Sequence, residues 1–231
     1  MLPTNFMNQR NRLSELRLIL LVSPELAPDG RVWERVAAAL PWVDALQARP
    51  KDPRTQPSPE APCPARATYD LARQLLTLTR DQGSQALVFV DDRVDVARAL
   101  LPHGLAGVHL GTDDCDPVLA RAFLGEDALI GLSTHSFDDV LAAQELPVDY
   151  LGFGPIHATA TKGYAHGCGA EMAWVAAQSS NLPIVPIGGI DAHNANELAR
   201  VGRVCVGSAI LAAPDPAAAA RALREALDEL E

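Results

Sequence analysis

Short, unbroken apolar runs alternate with segments of helical apolar spacing along most of the chain. The runs at 17–23 (RLILLVS), 42–46, 86–90 (ALVFV), 107–110, 128–132, 150–153, 183–187 and 204–206 show no period-two alternation. A strand with one wet face alternates and a strand buried on both faces does not, so these runs predict buried parallel strands. Between them apolar residues recur three or four apart. Val32, Val36, Ala39 and Leu40 predict a helix over 28–40, and Leu71, Leu75, Leu76 and Leu78 predict one over 68–80. Shorter helices are predicted at 94–101, 116–124, 137–144, 172–178 and 192–200, and an alanine-rich one at 216–230; Ser136 stands at a helix N-cap position. The result is eight strand-then-helix units. Strict alternation of this kind makes a parallel sheet. The fold class is therefore α/β, a parallel eight-stranded (β/α)8 TIM barrel, a fold of about 250 residues. An open doubly wound sheet is the alternative, weakened by the lack of a glycine fingerprint after the first strand.

Residues 1–15 are polar and predict a loose N-terminal extension, with 16–231 forming one barrel domain and a proline-rich loop at 50–64. The 231 residues, 48% of them hydrophobic, bury a core without staples. No apolar run approaches the roughly 18 residues of a membrane span, and the N-terminus lacks the apolar core of a secretory signal. Cysteines at 63, 115, 168 and 205 form neither a CxxC pair nor a disulfide framework, which predicts a reduced, cytoplasmic protein without zinc. A formal net charge of −10 disfavours nonspecific nucleic-acid binding. Such a chain must hold a phosphorylated ligand with local cations, backbone N–H groups or a metal. Homo-oligomerisation is compatible with the sequence and is left open.

In this barrel the active site lies at the C-terminal ends of the strands. Those ends carry Gln47, Arg49 and Lys51; Asp91 and Asp92; His109 and Asp114; Ser133 and His135; Thr159, Thr161 and Lys162; Gly188 and Gly189; and Gly207 and Ser208. Asp92 and Asp114, on neighbouring strands, suit one magnesium ion, which takes one or two carboxylates plus substrate phosphates; a helix N-cap is the other reading of Asp92. Arg49, Lys51 and Lys162 suit a pyrophosphate, although solvated basic loops read the same way. Thr159 and Thr161 add hydroxyl donors beside Lys162. Gly188, Gly189, Gly207 and Ser208 follow the last two strands, where phosphate sites recur, and tight turns are the plainer role of such glycines. His109 and His135 read first as satisfied core residues, and His157 as a weak acid–base candidate.

Taken together, QARPK at 47–51, VDDRVDVA at 90–97, GVHLGTDD at 107–114, GLSTHS at 131–136, YLGFGPIHATATK at 150–162, PIGGI at 186–190 and VGSAI at 206–210 resemble the thiamine phosphate synthase family, over about 16–227. The resemblance implies coupling of hydroxymethylpyrimidine pyrophosphate with hydroxyethylthiazole phosphate to give thiamine phosphate and pyrophosphate. It implies that Gln47 to Lys51, Ser133 and Lys162 hold the pyrimidine pyrophosphate, with Arg49, Lys51, Ser133 and Lys162 as the catalytic set. It assigns Asp92 and Asp114 to Mg2+, and Thr159 to Thr161, Gly189, Gly207 and Ser208 to the thiazole phosphate, with Gly188 beside them a further substrate-binding candidate from its place after the seventh strand. Asp91 stands at a substrate-binding position where that family usually carries Asn; a carboxylate accepts hydrogen bonds and cannot donate them when ionised. Two further readings stay open: a thiazole tautomerase-like relative, and a non-catalytic binder of thiamine precursors.

Overall fold

The structure is a computed structural model that describes residues 6–51, 64–158 and 167–228. Its strands are β1 (Leu18–Val22), β2 (Ala45–Ala48), β3 (Leu87–Asp91), β4 (Gly107–Leu110), β5 (Leu129–Thr134), β6 (Tyr150–Phe153), β7 (Ile184–Pro186) and β8 (Val204–Val206). Among the described residues these eight lie side by side in the order β7-β6-β5-β4-β3-β2-β1-β8, neighbours running parallel. A single parallel bridge between Ile187 and Cys205 joins the two ends, so the sheet closes into the expected barrel.

Each strand is buried on both faces because it serves two cores. Leu18, Leu20 and Val22 point outward into the layer between barrel and helices, while Ile19 and Leu21 point into the barrel. Phe89, Leu129, Tyr150, Val185 and Cys205 complete the interior filling. The outer ring comprises α2 (Val32–Ala39), α3 (Ala65–Asp81), α4 (Val94–Leu100), α5 (Pro117–Leu124), α6 (Phe137–Ala143), α7 (Ala170–Ser179) and α9 (Pro216–Ala226); the short α8 (Ser208–Leu211) follows β8. Ser136 caps α6 in a reciprocal box with Asp139.

Two expectations are corrected. The polar N-terminus is not a loose extension from residue 6 on: Phe6–Glu15 forms a helix, α1. Leu13 and Leu16 at its C-terminal end close the lower mouth of the barrel, and Arg10 reaches Asp149 at 3.1 Å. A stretch with so few apolar anchors is too polar on average to reveal them. The helix expected over 192–200 is only a 3-10 turn, Ala195–Leu198. There Asn194 Oδ1 accepts from Asp191 N–H at 2.9 Å and Asp191 Oδ1 from His193 N–H at 2.8 Å, local bonds that compete with helix. Most of the proline-rich loop at 50–64 lies outside the described residues. No helix among those described is long and apolar enough to cross a membrane.

Candidate active site

At the C-terminal ends of the strands lies a cavity of about 320 Å³. Its floor is apolar, built from Ile19, Leu21, Val185 and Tyr150, and its rim is polar. Register explains the rim. Pairing aligns Asp91 with His109, His109 with Gly131, and Gly131 with Tyr150, one inward level across four strands. Ser133 stands one inward position higher on β5, opposite Gly152 of β6.

Gln47 and Asp91 prove to be strand residues rather than loop residues. Asp91 is 4% exposed and serves as an anchor: the Gln47 side-chain amide donates to one carboxylate oxygen, and Arg49 Nε lies 2.8 Å from the other. The carboxylate thus neutralises part of the Arg49 charge before any ligand arrives. Beyond β2, Glu25 accepts from the Lys51 backbone N–H at 2.9 Å, while the Ser23 hydroxyl lies within reach of both Glu25 and the Arg49 carbonyl. Sequence reasoning missed this pair: Ser23 and Glu25 meet the QARPK segment only because β1 and β2 are neighbours.

Asp92 and Asp114 do converge. Asp92 has a left-handed backbone (φ 63°), and its N–H donates to the His109 carbonyl at 2.8 Å. The N-cap position of α4 belongs to Arg93, so the capping reading of Asp92 is not what the structure shows. Asp114 accepts from Gly111 N–H at 2.7 Å and lies close enough to Asp92 for the two carboxyls to act on one another. Burial, and after it the Asp92 charge, raises the Asp114 carboxyl to about 6; the Gly111 bond and nearby Lys51 oppose that rise. Two carboxylates this close to one another fit a divalent cation. Among the described residues no group of three or more His, Cys, Asp or Glu side chains converges.

Gly188, Gly189, Gly207 and Ser208 line the opposite wall. A Cβ on Gly189 (φ 66°) would lie 2.7 Å from the Ala158 carbonyl oxygen, so this turn needs glycine to pack under the loop after β6. Thr159, Thr161 and Lys162 lie outside the described residues. His135 donates from Nδ1 to the Gly154 carbonyl at 2.6 Å, but it is exposed at the strand end rather than the core residue expected. His157 has only a loose approach to Glu197, 3.8 Å. His109 bonds through both nitrogens, to Tyr150 Oη and Ser133 Oγ, each at 3.0 Å. Tyr150 escaped notice in the sequence because an aromatic in an apolar run reads as core.

The sequence profile described as "Thiamine monophosphate synthase" matches residues 18–210, which spans all eight strands. The chain belongs to the thiamine monophosphate synthase family. The family is one of transferases, and its curated members bear this chain out along its length. The thiamine-phosphate synthase of Azorhizobium caulinodans is 45% identical over 218 residues, covering 93% of this chain and 96% of that one. That of Synechococcus sp. strain CC9605 is 38% identical over 224 residues; it is longer, and the match covers 96% of this chain and 58% of that one. Among solved structures, a thiamine phosphate pyrophosphorylase from Pyrococcus furiosus superposes with a TM-score of 0.75 at 32% identity, covering 95% of this chain and 97% of that one. Of the motif residues, Gln47, Arg49, Asp91, His109 and Ser133 line the cavity on one side and Gly188, Gly189, Gly207 and Ser208 on the other, and the Asp91–Arg49 pair is part of that lining.

Proposed function

We propose that this protein is a thiamine-phosphate synthase that joins hydroxymethylpyrimidine pyrophosphate to hydroxyethylthiazole phosphate and releases pyrophosphate. The observation that carries the reading is the neighbouring Asp92–Asp114 pair near Lys51, together with Arg49 in the lining of an apolar-floored cavity whose far wall carries glycines. The cations Arg49, Lys51 and Lys162 hold the pyrophosphate end of the pyrimidine substrate, and Gln47 and Ser133 face its ring. The far wall, Gly188, Gly189, Gly207 and Ser208, with Thr159 and Thr161, takes the thiazole phosphate. Asp92 and Asp114 would hold Mg2+, which when bound supplies charge that stabilises departing pyrophosphate. The chain's residues keep the thiazole nitrogen in line with the methylene carbon and exclude water from the apolar floor. No protein nucleophile is needed, because positioning and electrostatics carry such a displacement. The free thiols of Cys115, Cys168 and Cys205 fit a reducing cytoplasm.

A coupling assay tests the proposal. Purified protein, both substrates and magnesium should yield thiamine phosphate and pyrophosphate, and Asp92→Ala should reduce turnover by about 100-fold or more, the scale of losing a main electrostatic contact. Binding of both substrates without product would reject it. The outcome would then favour a non-catalytic binder of thiamine precursors, the reading that partial neutralisation of Arg49 by Asp91 supports.

A further inference from the structure

His109 bridges two hydroxyls, and the direction of its hydrogen bonds decides what Ser133 offers a ligand. Tyr150 is 2% exposed, at the floor of the cavity, with His109 Nδ1 3.0 Å from its hydroxyl. Ser133 Oγ lies 3.0 Å from His109 Nε2 and lines the cavity. Neutral imidazole has one N–H, so only two arrangements satisfy both contacts. In the first, Tyr150 donates to Nδ1, Nε2–H donates to Ser133, and the serine proton is turned to the cavity. In the second, Nδ1–H donates to Tyr150 and Ser133 spends its proton on Nε2. The second leaves the phenol proton buried; among the described residues His109 is the hydrogen-bond partner of Tyr150. A buried donor without an acceptor is expensive, so the first arrangement wins. Burial, with Asp91 nearby, also lifts the Tyr150 pKa well above its ordinary value, so the phenol always has its proton to give.

The backbone is cut to fit this pair. Gly131 lies between His109 and Tyr150 on the same inward level. A Cβ there would sit 2.2 Å from Tyr150 Cζ and 2.5 Å from His109 Nδ1. One on Gly152, beside Ser133, would sit 3.0 Å from His109 Cε1. Two inward glycines on adjacent strands therefore open the slot in which the two rings meet.

We infer that Tyr150 and His109 are positioning residues which, through a Tyr150→His109→Ser133 chain of donated hydrogen bonds, set the Ser133 hydroxyl as a donor to a ring nitrogen of the bound pyrimidine. The identity of the ligand rests on the proposed function; the direction of the chain does not. Hydrogen-bond donation to a ring nitrogen selects heterocycles that present an acceptor at that point and rejects analogues with a carbon there, because the serine would be left unpaired.

The test has two readouts. In full-length protein labelled with 15N-histidine and free of substrate, His109 should show a protonated Nε2 and an unprotonated Nδ1, its signals identified by their absence in His109→Gln. The reverse tautomer would overturn the inference whatever the coupling assay gives. Tyr150→Phe should then raise the KM of the pyrimidine substrate (or its Kd, by calorimetry, if there is no turnover) by about tenfold, and leave the thiazole phosphate unchanged. Equal losses for both substrates, or none, would also overturn it. If Tyr150→Phe does not fold, the wild-type spectrum decides.

Discussion

Asp91 shows how one residue resets a site. In an uncharged neighbourhood an amide and a carboxylate would be interchangeable acceptors for Gln47 and Arg49. Here the carboxylate also carries a charge, 2.8 Å from Arg49 and 4% exposed. Replacing it with Asn keeps an acceptor and removes that charge, leaving Arg49 whole for an anion. Asp91→Asn should therefore bind inorganic pyrophosphate about tenfold more tightly, since one unit charge several ångströms away at a partly buried site is worth a few kcal/mol before screening. Calorimetric titration of pyrophosphate measures it; unchanged affinity would mean that the carboxylate does not oppose the ligand. Asp91→Ala should behave differently and cost about 3 kcal/mol in urea denaturation, because it leaves a buried guanidinium unpaired.

At the level of elements, the strands were legible because their runs are apolar on both faces, and those runs locate the barrel unit by unit. Some of the candidate residues at the strand ends were legible too: Arg49 and Ser133 line the cavity, and Asp92 directly follows β3. Pairing across strands was hidden. The bond from Gln47 to Asp91 and the slot beside Gly131 depend on register, which no local pattern reports. The 3-10 turn at Ala195–Leu198 was hidden because Asp191 and Asn194 spend their side chains on backbone that helical spacing assigned to a helix. α1 was hidden by its polarity, and it supplies the element-scale prediction. Leu13 is 4% exposed beneath the barrel, so Leu13→Ala should lower unfolding free energy by about 2–4 kcal/mol. A cost near zero in urea denaturation would return the segment to a loose extension.

The molecule as a whole carries a net charge of −10 and, on the proposed function, receives anionic substrates at one mouth, so its electrostatic balance is local. One consequence reaches the stability of the entire fold. Asp114 is raised from the usual 3.8 to about 6, so between those values the folded protein binds more protons than the unfolded chain, and stability falls as pH rises. The loss is complete above about 6 and recovered on acidification towards 4. Asp29, Asp95 and Asp139 have the opposite sign: their carboxyls are depressed, by Arg35, by Arg93 and by the His135 backbone N–H respectively, and their contribution disappears only as pH drops below 4. Metal-free protein should therefore be most stable near pH 4. The Asp114 change corresponds to about 3 kcal/mol for a sealed site, and solvent at this half-buried carboxyl screens it to about 1 kcal/mol. Urea denaturation in chelator at pH 4 and 7 should show that difference, and Asp114→Asn should abolish it. Magnesium added at pH 7 should restore the lost stability in the wild type and not in the variant, because the cation favours the ionised pair that burial penalises. A wild type with equal stability at both pH values, indifferent to magnesium, would show that the two carboxylates are not held together in the folded protein.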